Sequence, residues 1–259
     1  MGSLGDMIWI EVRKAIRSRM PFWTTLGALF MPLGVGVLIF LARNPAISQK
    51  LGLVSAKANL VAYSATDWPA YLVLFNEIIA AGGFFFFIVA ISWTFGREFA
   101  DGTLKDLLAI PVPRSNIILA KFITVVLWSG AMAVVMLAFG LILGAIIHLP
   151  GGSRTIILQG IVDAGVTAGL VMVVVLPFGF FASFGRGYIL PLVLSVLTLI
   201  TANFLMAVGL AEYFPWAVPL LYTLGESPLK SISYWIVLIA GLAGIMGTYL
   251  WWKYADQSR

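Results

Sequence analysis

The amino-acid sequence predicts an all-α membrane protein. It has six transmembrane helices, an N-terminal amphipathic helix in the membrane interface, and a short helix in a polar break between spans two and three. Three observations predict this. The 259 residues are 61% hydrophobic and only 10% charged, with a mean hydropathy of +1.02, whereas a soluble domain is about half apolar and about a quarter charged. Six apolar runs are each long enough to cross a hydrocarbon core of about 30 Å at about 1.5 Å per helical residue. Charge is also gathered rather than scattered: seven of the 16 basic and 11 acidic residues fall between Arg97 and Lys121.

The same composition excludes several function classes. There is no cysteine and a single histidine, His148, so thiolate zinc sites, catalytic cysteines and histidine-dependent triads lack their parts, and no metal site is expected. The net charge of +5 reports membrane topology rather than nucleic-acid binding, because Lys and Arg collect on the cytoplasmic side of membrane proteins.

Residues 1–20 form the interfacial helix. Leu4, Ile8, Val12 and Ile16 recur every fourth residue with Trp9 beside them, and Asp6, Arg13, Lys14 and Arg17 lie opposite, the pattern of a helix lying in the interface. Glu11 and Ile10 break the stripe. Residues 21–259 form the six-span domain, with spans at about 22–42, 71–95, 116–147, 156–184, 189–210 and 232–252. The first is too long for a signal-peptide core and has no small-residue cleavage site after it. The segment 43–69 reads as a loop, with Trp68 and Tyr71 marking the next membrane entry. Residues 212–231 are apolar but broken by Pro215, Pro219 and Pro228. A lipid-exposed helix there would leave backbone groups unpaired, so the segment is expected outside the membrane or re-entrant against protein. Gly140/Gly144 and Gly165/Gly169 have the spacing that lets helices approach closely.

Topology follows from arithmetic. With the N-terminus cytoplasmic, eleven basic residues fall inside and five outside, the sense that the positive-inside rule requires. Both termini and the polar break are then cytoplasmic.

Within the break, Thr103 and Asp106 have capping-box spacing. Leu104, Leu107 and Leu108 share one face, free to meet lipid, the bundle or a partner's groove. Pro111 and Pro113 end the helix, at about 103–110. Ser115 is a candidate N-cap for span three. The wider pattern is Glu98-x-x-x-Gly102-Thr103-Leu104-x-x-Leu107-Leu108-x-x-Pro111-Val112-x-Arg114-x-x-Ile117-x-x-x-Lys121. It resembles the signature of ATP-binding-cassette exporter permeases of the bacitracin and lantibiotic-immunity type. Pro113 departs from that family's usual small polar residue.

The resemblance implies a six-span subunit without its own ATPase. Its coupling helix between spans two and three would seat in a separate cytoplasmic ATPase subunit. Glu98, Asp101, Gly102, Thr103, Leu104, Lys105, Leu107, Leu108, Pro111 and Arg114 would form the docking region. ATP and Mg would be held by the partner ATPase, of which two copies are expected. A second permease copy or a paralogue would complete the pore, in a bacterial plasma membrane. The sequence agrees in one respect: it carries no Gly-x-x-x-x-Gly-Lys-Ser/Thr phosphate loop, so this chain is not itself expected to be an enzyme.

Glu77 and Asp163 are the acidic residues inside spans. A charge near the bilayer centre costs about 2.5–3.5 kcal/mol on insertion scales, which makes such residues candidates for function. With Phe84 and Trp216 they are the candidate lining of a path for an amphipathic peptide, antibiotic or lipid-like substrate. Arg154 and Lys57 are candidates to neutralise the two acids. Two alternatives stand beside export: a membrane-embedded enzyme (protease or lipid transferase), and a non-transporting sensor or assembly subunit. The first needs a nucleophile with a base or clustered acids, and Gly225-Glu-Ser227-Pro lacks the pattern of a nucleophile elbow.

Overall fold

The computed structural model describes residues 3–43, 67–225 and 229–254. The loop expectations for Asn44, Lys50 and Lys57 lie outside these residues. All regular structure among the described residues is helical, and six segments are long and apolar enough to cross a membrane.

Helix α1 (Leu4–Arg17) opens with a complete capping box between Ser3 and Asp6. A turn at Ser18 and Arg19 leads into α2 (Met20–Arg43), which is span one. Span two is interrupted. It consists of α3 (Trp68–Ile78), a π-helical turn (Ile79–Gly83) and α4 (Phe84–Ala100). The turn is made of Ile-Ala-Ala-Gly-Gly, small enough for the helix to widen, and the Met31 side chain of span one packs on Gly82. After Gly102 and Thr103 come α5 (Leu104–Ala109) and then α6 (Arg114–Ile146), span three. Span four is α7 (Arg154–Val175) followed, past a break at Leu176 and Pro177, by α8 (Phe178–Phe184). Span five is α9 (Ile189–Ala207). A 3₁₀ turn (Ala211–Tyr213) and α10 (Val218–Leu224) precede α11 (Ser231–Tyr254), span six.

Span two is the most enclosed of the six and span five the least. The core forms along span two because the facing helices offer glycines. Gly140 and Gly144 of α6 leave room for Phe75, Trp68 and Tyr71, and Gly160 of α7 leaves room for Leu72. The Tyr71 hydroxyl donates to the Gly140 carbonyl at 2.7 Å, so the close approach also satisfies a buried polar group. Gly165 and Gly169 have open space around them, so of the two pairs only the first is used among the described residues. At the break in span four, the backbone of Pro177 rests directly on Gly244 of span six.

Residues 211–224 pack against the bundle. Ala211, Ala217 and Val218 are buried, and the Trp216 indole donates to the Val174 carbonyl at 2.8 Å. That carbonyl is freed by the break one turn further on, since Pro177 and the turn at Leu176 interrupt the regular ladder. Glu212 and Lys230 form an ion pair of 2.6 Å between residues near the two ends of the segment that joins spans five and six.

Three local expectations are corrected. Thr103 makes no side-chain capping bond, and the chain turns instead at Gly102, whose φ of +70° suits glycine. Ser115 does not cap span three: the helix starts at Arg114, directly after Pro113, whose ring presets the entry. Glu11 does not interrupt the inward face of α1 but lies at its centre, since Met7, Glu11 and Ala15 are its buried residues while Trp9 and Ile16 are exposed.

Candidate functional site

One end of the bundle gathers α1, α5, the start of span three and the last turn of span six. Helix α5 is only six residues long, too short to stand alone. Leu104 and Leu107 anchor it, 7% and 8% exposed, within the main apolar core, with Leu108 and Val112 half-buried beside them. The leucine face therefore meets the bundle. What α5 turns outward is Thr103, Lys105, Asp106, Ala109, Ile110 and Pro111, continuous with exposed Asp101 and Gly102.

The two conspicuous charges flanking α5 are engaged within the chain. Arg114 donates from Nη1 to the Trp252 carbonyl at 2.7 Å and more weakly to that of Lys253 at 3.4 Å. A guanidinium there satisfies orphan carbonyls at a helix C-terminus and opposes its negative pole. Glu98 is buried, 4% exposed. Its Oε1 accepts from Lys121 Nζ at 2.7 Å and from Lys14 Nζ at 3.0 Å. Lys121 has no exposed side-chain surface and uses all three of its protons: on Glu98, on the Thr94 carbonyl at 2.8 Å, and on Glu11 Oε2 at 3.3 Å. Lys14 closes the ring on Glu11 Oε1 at 2.7 Å.

Two carboxylates and two ammoniums thus alternate across α1, span two and span three. Such a buried network is tolerable only because each charge has an opposite neighbour and the protons of Lys121 are all used. Burial disfavours the Lys14 ammonium, but Glu11 and Glu98 outweigh that and hold its pKa above the ordinary lysine value. Asp101 pairs with Arg97 at 3.1 Å on the exposed surface, and the Arg97 guanidinium also covers the Trp93 ring.

The other candidates lie deeper. Phe84 is buried and meets Phe178 edge to face with centroids 5.9 Å apart, and Phe178 meets Trp216 in the same way at 6.4 Å. Phe84 and Trp216 are therefore joined through a residue that only the break in span four places between them. Phe85, by contrast, is 40% exposed.

Glu77 and Asp163 do not share a site. Glu77 lines an apolar groove of about 640 Å³ between spans one, two and five, with Met31, Phe85 and Leu199. Asp163 lines a separate polar pocket of about 320 Å³ with Asn76, Tyr222, Thr223 and Tyr234. Span two divides the two cavities, because the adjacent residues Asn76 and Glu77 point to different faces of the helix. Arg154 forms no ion pair with Asp163 among the described residues, and Lys57 lies outside them. No cluster of three metal-ligating side chains occurs among the described residues.

The structure adds Glu11, Lys14, Asn76, Phe178 and Tyr222 to the residues that sequence reasoning singled out. Glu11 had a legible signal, an acid at the centre of an apolar helix face. The others depend on tertiary approach.

The described residues thus form a bundle of six candidate membrane spans, with a short, bundle-anchored helix between spans two and three. Comparison with known proteins supplies the class. The model of the ABC-2 family transporter protein family matches residues 7–203, and the chain belongs to that family, as a multi-pass membrane permease. It is 24% identical over 195 residues to a bacitracin transport permease protein of Bacillus licheniformis, which covers 74% of this chain and 90% of the relative. No solved structure matches.

Proposed function

We propose that the chain is the membrane subunit of an ATP-driven exporter in a bacterial plasma membrane, powered by separate ATPase subunits seated on the outward face of α5. ATP and Mg belong to those partners, two per transporter, and a second permease copy or a paralogue completes the path. Both termini and α5 are cytoplasmic, on the eleven-to-five distribution of basic residues. The cargo is an amphipathic peptide, antibiotic or lipid-like molecule; the bacitracin transport permease named above favours the antibiotic class.

The observation that carries the reading is the mounting of α5. Its leucines are fixed in the core, and Arg114 ties the segment that follows it to span six. A partner that moves α5 therefore moves spans two, three and six with it, whereas a free loop would absorb the motion. The docking surface is the outward face, Asp101, Gly102, Thr103, Lys105, Asp106 and Pro111, while Glu98 and Arg114 hold the helix at its angle.

The test is co-purification of the tagged permease with an ATPase chain carrying a phosphate-binding loop. Reversing two exposed charges together, Lys105→Glu with Asp106→Lys, is expected to release the ATPase while the permease remains folded and in the membrane. Retention of the ATPase by the charge-reversed permease would overturn the docking assignment.

A further inference from the structure

The polar pocket between spans two, four and six and α10 carries more acceptors than it can satisfy. Asp163 Oδ1 accepts from Gln159 Nε2 at 3.0 Å and from the Tyr222 hydroxyl at 3.2 Å. No hydrogen bond or ion pair reaches Oδ2 from the described residues. Across the pocket, Asn76 is 4% exposed, and its amide oxygen is enclosed without a donor. A buried acceptor left unpaired costs about 1–3 kcal/mol, and a carboxylate inside a span without a cation costs more. The other polar lining comes from Tyr222, Thr223 and Tyr234. None of them supplies positive charge. Among the described residues, no group here brings both protons and charge; an anion would meet a carboxylate and an unpaired carbonyl.

We propose that this pocket binds an organic ammonium group, with Asp163 Oδ2 and Asn76 Oδ1 as its acceptors. This rests on the permease reading above and supplies the head-group chemistry of the cargo. A volume of about 320 Å³ admits an aminoalkyl group, not a whole peptide. The remainder of an amphipathic ligand lies outside the pocket. Helix α10 is part of the site, because its Tyr222 orients the Asp163 carboxylate. Two sources offer this chemistry: a lysine-like side chain of a peptide and the head group of an aminolipid.

The experiment uses the full-length permease in phosphatidylcholine nanodiscs, without ATPase or nucleotide. Saturation-transfer NMR would follow binding of hexylamine, with hexanol as the neutral analogue and empty discs as background. Hexylamine is expected to bind the parent protein more tightly than hexanol does. Asp163→Asn is expected to weaken hexylamine by roughly tenfold, the equivalent of about 1.4 kcal/mol, and to leave hexanol unchanged. Asn76→Leu is expected to weaken hexylamine as well, which keeps the test open should Asp163→Asn fold poorly. Glu77→Gln, on the other cavity, is expected to have no effect.

Equal binding of hexylamine and hexanol would overturn the proposal. So would hexylamine binding that survives both pocket variants, or is lost only on Glu77→Gln. Discs containing phosphatidylethanolamine separate the sources: competition with hexylamine assigns the pocket to an aminolipid, and its absence assigns it to a peptide side chain. Failure here leaves ATPase docking untouched, and failure of docking in the Lys105/Asp106 variant leaves hexylamine binding intact.

Discussion

Glu98 shows how a residue's motif position and its physical role can differ. It stands at the head of the docking signature, yet its carboxylate faces Lys14 and Lys121 inside the bundle. Glu98→Ala would leave buried Lys121 with only the longer of its two ion pairs, to Glu11 at 3.3 Å, and breaking a buried pair from one side costs about 3–5 kcal/mol. Thermal unfolding in detergent should therefore show a large loss for Glu98→Ala and a smaller one for Glu98→Gln, which keeps an acceptor. The Lys105 and Asp106 exchange should leave the melting temperature near that of the parent, because both side chains are exposed. Sequence alone made Glu98 and Lys105 look alike, two charges in one polar break. What separates them is Lys121, about two helical turns beyond Pro113, and Glu11, far away in the chain. Neither partner is visible from local spacing.

At the scale of elements, α1 is held to span three by an apolar strip and by the ion network rather than lying free in the interface. Its outward face keeps Trp9, Ile10 and Ile16, with Arg13 stacked on Trp9 at 4.6 Å, so lipid contact falls on that side. The pH dependence of its docking follows from Lys14. The folded pKa is raised, so the stabilisation is fully present below the unfolded lysine value of about 10.4 and is lost as pH rises through the folded one. A spin-label distance between α1 and span three should accordingly be constant through neutral pH and lengthen only in that strongly alkaline range; lengthening near pH 7 would contradict the network. The six spans were legible because hydropathy over about 20 residues is a strong signal. The π-helical turn and the break at Pro177 were not, because each is defined by which carbonyl a given N–H reaches. The segment between spans five and six was half legible: its prolines argued against a lipid-exposed helix, while the hydrogen bond from the Trp216 indole to the Val174 carbonyl depends on tertiary approach.

At the scale of the whole molecule, span two organises everything else. It carries the ion network at one end and the entry aromatics at the other, and between them its two faces serve two cavities of opposite character. The sequence placed Glu77 and Asp163 at similar depth and suggested one acidic path. The bundle instead sets them at different faces of span two, which no single-chain pattern of depth can reveal.

The π-helical turn in this span has a geometric consequence for those cavities. It holds one residue more than an α-helical turn, and one residue is about 100° of rotation about the axis. The outer segment α3 is thus set in angular phase against α4 by Ile79–Gly83 alone. Removing the surplus residue by deleting Ala81 should rotate α3 relative to α4 by about 100°. Asn76 would turn away from Asp163 while Glu98 stays in its network. Such a deletion should abolish hexylamine binding and leave ATPase docking in place. The orientation of the outer half of the span is then a quantity that the chain can reset by moving a single residue's worth of helix, without breaking any contact at the far end.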